Sequence, residues 1–199
     1  MSMKPTPSFE KWFGDSKVVN SNGAPLVVYH GTTGDIKEFD FGRLSHESGN
    51  PASQLGMFFT PSPEIASDFA RDAGDMWSGD DDRWPNVIPV YLAIKNPHMM
   101  TYGQFKRLLV VDFEDHEARA EIDDLVADLV RQGHDGVKIG STKAKLAGSE
   151  FDAPQWVTFR SDQIKSAIGN NGEFDAANTD IRFSLVDLDD AIDTEAPCP

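Results

Sequence analysis

The stretch GMFFTPSPEIASDFARDAG, residues 56–74, is the most strongly punctuated part of the chain. Gly56 to Thr60 reads as a strand, Ser62 as an N-cap, Pro63 as the first helical residue and Glu64 as a favourable first-turn charge. Ile65, Ala66, Phe69, Ala70 and Ala73 then share one helical face, and Gly74 is the expected stop. A strand thus passes directly into a helix, and Phe69 is expected to point inward.

Upstream, LVVYHGTT at residues 26–33 reads as a short buried strand ending in an orientable imidazole. Gly31 removes a side chain where something approaches the backbone closely. Taken alone, His30 reads as a core histidine leading into a turn. NSNGAPL at 20–26 is a turn signal, so SKVV and LVVY read as a hairpin. Thr33 to Leu55 lacks a clear period and reads as a long loop, in which Arg43 and His46 are expected to be solvated.

Downstream, GDMWSGDDDRWP reads as a solvated acidic loop without the offsets of a calcium site. NVIPVYLAIKNP is a strand whose Pro89 implies an edge or a bulge. Thr101 with Gln104 forms a capping box, and a second helix is expected from about Asp115 to Arg131, stopped by Gly133. DGVKIG and QWVTFR read as strands around a loop from Ser141 to Pro154, and QIKSAIG as a last strand. Trp156 and Phe159 are expected to pack on opposite faces, and His134 to cap a turn. The order is strand-rich with interspersed helices, unlike a doubly wound sheet, and no dinucleotide fingerprint or phosphate loop occurs.

The chain of 199 residues is 39% apolar, enough for one core. Its 33 acidic and 18 basic residues leave a net charge of -15, which disfavours nucleic acid as a bulk partner. Cys198 is the only cysteine, so no internal disulfide or cysteine-based metal site forms, and His98 and His116 have no partner at ligand spacing; no metal is expected. No signal peptide or membrane span is evident, and the expected location is cytoplasmic or a target cytosol reached by delivery. Residues 1–8 are expected to be loose, 9–184 to form the domain and 185–199 to be an acidic disordered tail or linker.

Three blocks in this order resemble the ADP-ribosyltransferase superfamily, in its diphtheria-toxin and poly(ADP-ribose)-polymerase-like branch with the pattern His, Tyr, Glu. They are YHGTT, GMFFTPSPEIASDFA and PQWVTF. The flanks FEKWFGDSKVVNSNGAPLVVYHGT and DQIKSAIGNNGEFDAANTDIRFS resemble such domains in polyvalent proteins of phages and mobile elements. The similar stretches cover about Phe9 to Ser184.

The resemblance implies an α+β fold, a split β-sandwich of two bent sheets with NAD in the cleft between them and helices outside. It puts His30 on the adenosine ribose, Gly31 on the nicotinamide carboxamide with Thr32 beside it, Phe58 at the first aromatic position and Phe69 at the ring that stacks on nicotinamide. It also puts Gln155 where the catalytic glutamate stands. A carboxylate there would stabilise the cationic transition state and could activate an acceptor, whereas an amide can only bond the ribose hydroxyl. Ala153 lacks the acidic or amide group of arginine-specific relatives, and Glu150 and Asp152, read as loop residues, are candidate substitutes for the missing carboxylate.

The implied activity is mono-ADP-ribosyl transfer from NAD to a macromolecular acceptor, with protein favoured. The alternatives are a non-catalytic NAD or ADP-ribose binding module and an NAD glycohydrolase. Gln155 leaves three accounts open: an acceptor that brings its own nucleophile, a disabled form of a glutamate enzyme, or a natural binder.

Overall fold

A computed structural model describes residues 6–43, 51–76, 84–109, 116–146, 149–170 and 174–182. The acidic run 77–83, His46, Cys198 and the expected tail lie outside the described residues.

The first helix, α1 (Pro7–Phe13), is capped by Thr6, whose hydroxyl accepts the Phe9 N–H at 3.1 Å. The last two residues of the stretch expected to be loose are therefore helical. Phe9, Trp12 and Phe13 bury one face against Tyr91, Ala93 and Phe174.

The strands form two sheets. One is ordered β1 (Val28–Thr33), β3 (Pro85–Leu92), β7 (Ile164–Ser166). The other is ordered β2 (Met57–Phe59), β6 (Ser149–Thr158), β5 (Gly136–Leu146), β4 (Pro97–Met100). All described pairings are antiparallel except β4 with β5. A core of Val28, Phe39, Phe59, Val90, Leu92, Ile94, Trp156, Ile164 and Ile181 draws on both sheets. A second core lies on the other face of the four-stranded sheet, where Val137, Ile139 and Val157 meet residues of α3 (Tyr102–Leu109) and α4 (His116–Arg131). This mixed architecture of two sheets with flanking helices is the α+β arrangement that the resemblance implied.

Two devices tie the sheets together. Tyr29 exchanges both backbone hydrogen bonds with Thr60, at 2.8 and 3.0 Å. Gln163 is 1% exposed; its Oε1 accepts the N–H groups of Phe159 and Arg160, and its Nε2 donates to the carbonyls of Asp135 (2.6 Å) and Ala93 (3.3 Å). A buried amide with all these bonds made is a rigid corner.

Several readings change. The loop expected from Ser141 to Pro154 is instead the far end of a hairpin: β5 runs to Leu146 and β6 starts at Ser149, so Glu150 and Asp152 belong to a strand. Pro89 stands in the central strand rather than at an edge. It is tolerated because it faces Tyr29, whose own N–H and C=O turn to Thr60, and because the β7 ladder ends opposite Val90. The hairpin around Asn20 is reduced to a Val19–Pro25 bridge with a positive φ at Gly23. The second-block helix, α2 (Pro63–Met76), runs through Gly74 instead of stopping there, while Ser62 caps its start by accepting the Ile65 N–H at 3.2 Å. The Thr101–Gln104 capping box forms as read.

Candidate functional site

His30 sits on β1, half-buried, on the face that meets the Phe39 ring at 5.1 Å and the Phe59 ring at 5.4 Å. Its Nδ1 is 2.8 Å from the Phe58 carbonyl oxygen. A carbonyl only accepts, so Nδ1 carries the proton and donates. Burial lowers the His30 pKa below its ordinary value of 6.5, with the Phe58 bond opposing it as the smaller effect. The ring is therefore neutral near pH 7, and Nε2 keeps a lone pair that can accept a hydroxyl proton. Thr32 follows on the same face of the strand, opposite Asn86.

Gly31, on the other face, is explained by packing. A Cβ built there would lie 1.9 Å from the Ala66 carbonyl oxygen and 2.9 Å from the Ala70 nitrogen. The backbone of α2 thus rests directly on β1, and only glycine permits it. The close approach read from the sequence is made by the protein's own helix.

Phe69, on the same helix, departs from expectation. Ile65, Ala66 and Ala70 are buried, but Phe69 is 43% exposed and lies outside the core it was expected to join. The helix sets the backbone of Ala66 and Ala70 against Gly31 of β1, and Phe69 stays outside that contact.

Phe58 and Phe59 alternate across β2. Phe59 faces Trp156 in register and joins the inter-sheet core, whereas Phe58 faces Val157 and packs against the second core, with its ring 5.6 Å from Phe105. Gln155, two residues before Val157, shares that second face and stands opposite Ile139. It is half-buried, and among the described residues its side chain has no hydrogen-bond partner. The structure therefore brings His30 to the Phe58 carbonyl and puts the Phe58 ring and Gln155 on one sheet face. The ring of Phe58 does not meet that of His30.

Phe39 and the Phe58 carbonyl are contributors that the sequence reading missed. The only signal for Phe39 was the aromatic pair in KEFDF within an otherwise polar segment, which periodicity does not register. Trp156 and Phe159 pack on the two different cores, as expected. His134 closes the turn after α4, its N–H reaching the Leu129 carbonyl at 2.9 Å, and its ring lies 5.2 Å from that of His98. The described residues hold no group of three or more metal-ligating side chains, and no helix among them is long and apolar enough to cross a membrane.

No curated protein and no solved structure matches the chain. A family model described as ADP-ribosyltransferase in polyvalent proteins matches residues 20–174, which span β1, β2, α2, β6 and β7 and hold His30, Phe58, Phe69 and Gln155. With most of its length matched, on a two-sheet α+β fold, the chain belongs to the ADP-ribosyltransferase family of polyvalent proteins.

Proposed function

We propose that the protein is a mono-ADP-ribosyltransferase that binds NAD across β1 and α2, cleaves the bond between nicotinamide and ribose, and passes ADP-ribose to a macromolecule, with protein favoured by the net charge of -15. The observation that carries this reading is His30, a neutral imidazole anchored through Nδ1 to the Phe58 carbonyl with Nε2 free to accept a ribose hydroxyl. Gly31 and Thr32 line the same strand, and the exposed Phe69 ring offers a face to the planar nicotinamide.

As the glycosidic bond breaks, its electron pair leaves with neutral nicotinamide and positive charge develops on the ribose. The acceptor's lone pair then closes the new bond, and the acceptor loses a proton. In this reading the amide of Gln155 bonds the ribose hydroxyl but supplies no negative charge. Losing one preorganised electrostatic partner costs about 2.7–4 kcal/mol, roughly a hundredfold to a thousandfold in rate. The same neutral amide favours a second reading, a domain that binds NAD or ADP-ribose with little turnover.

The test is incubation of the chain and its Gln155→Glu and His30→Ala forms with adenylate-labelled NAD and bacterial lysate. Label on a macromolecule, increased by about two orders of magnitude in Gln155→Glu and lost in His30→Ala, is the expected result. Release of free ADP-ribose without labelling makes the protein a glycohydrolase. Saturable binding without nicotinamide release from either the original or the glutamate form makes it a binding module.

A further inference from the structure

Lys165 on β7 is fully buried, at 0% exposure. Its ammonium donates to the carbonyls of Asn178 and of Asp180, the latter at 3.3 Å. Those carbonyls belong to the segment 174–182, which has no helix or strand of its own. Aspartate and asparagine side chains fold that segment locally: Asp175 accepts from Ala177 N–H, Asn178 from Asp180 N–H and Asp180 from Arg182 N–H. Burial pulls the Lys165 pKa down, and Asp175, Asp180 and Asp162 pull it back up.

The segment in turn grips the loop that follows the His30 strand. Ile181 donates its N–H to the Lys37 carbonyl at 2.9 Å, and Arg182 pairs with Asp35 at 2.9 Å. Ile181, 1% exposed, packs in one core with Phe39, and Phe39 is the ring set edge-on to His30 at 5.1 Å. We infer that Lys165 is a positioning residue for His30: it clamps the 174–182 strap, the strap holds the 35–41 loop, and Phe39 on that loop holds the imidazole. Most of the strap lies beyond the residues that the family model matches.

The inference rests on the proposed role of His30 in NAD binding, so the test uses two separate readouts on the full chain. The first is long-range nitrogen NMR of the His30 ring, which needs no NAD. The second is the Kd for NAD. Lys165→Met and Arg182→Ala are expected to turn the single Nδ1–H tautomer into a mixture and to raise the Kd about tenfold. Ser16→Ala removes a buried hydroxyl that donates to the Leu92 carbonyl and accepts from the Ile94 N–H but makes no bond to the strap, and is expected to leave the ring signals unchanged. Wild-type ring signals in a folded Lys165→Met chain would overturn the inference, as would the same disturbance in Ser16→Ala. If Lys165→Met does not fold, Arg182→Ala decides. Failure of the wild-type chain to bind NAD would count against the proposed function, and the ring signals would still decide the role of Lys165.

Discussion

A neutral, anchored His30 has a consequence for stability. The unfolded chain takes up the histidine proton near 6.5, whereas the folded chain resists it. Below 6.5 the unfolded state binds more protons, so stability present above that pH is lost as pH falls toward the lower folded value. The melting temperature of the wild-type chain is expected to drop across this window more than that of His30→Gln, measured as a pH series of thermal melts. NAD affinity should weaken over the same range, because protonation removes the Nε2 acceptor. Phe69 gives a second test. As a 43% exposed residue its replacement by alanine should change stability by less than about 0.5 kcal/mol. Loss of a stacking face worth about 1 kcal/mol should still raise the Kd for NAD by roughly fivefold to tenfold by calorimetry. A core role predicts the reverse, a large loss of stability with little change in affinity.

The contact of α2 with β1 is the element on which the site depends. Gly31→Ala would drive a methyl group to within 1.9 Å of the Ala66 carbonyl oxygen, a backbone atom that cannot rotate away. Overpacking of this kind costs about 1–3 kcal/mol and moves the helix off the strand. The variant should melt lower and also lose NAD binding, since Phe69 travels with the helix. Ala66→Gly, which leaves the carbonyl in place, should not rescue it. Ser62 and the Thr101–Gln104 box show the opposite situation, where local chemistry is sufficient: each cap is made within three residues and needs nothing from the rest of the fold.

Across the whole molecule, the described C-terminal strap completes the cores. Phe174 is 2% exposed and belongs to the α1 cluster, while Ile181 is 1% exposed and belongs to the inter-sheet core. A chain ending at Gly169 lacks both and leaves Lys165 without its carbonyls, at an expected cost on the order of 5 kcal/mol. We propose that the folded domain ends near Ser184, so a chain cut there should keep the wild-type melting temperature. Denaturant melts of the two truncations compare these costs directly. Equal stability of all three chains would mean that the strap contributes nothing to the fold.

Elements with local signatures were legible in the amino-acid order: the caps at Ser62 and Thr101, the stop at Gly133 with its positive φ, the strands at Gly136, Trp156 and Ile164, and the family blocks. Such signals are short-range, because a cap or turn is satisfied by neighbours along the chain. Long-range pairing was not legible. Residues 141–152 look like a polar loop until the register sets Lys143 opposite Asp152 and Lys145 opposite Glu150. Pro89 reads as an edge residue until Tyr29 is seen to bond Thr60 instead. The inward face of α2 was correctly placed at Ile65, Ala66 and Ala70, but the close approach of two backbones at Gly31 and the exposure of Phe69 appear only in the tertiary structure. Periodicity assigns residues to a face of an element, and the shape of the opposing surface determines which of them fit against it.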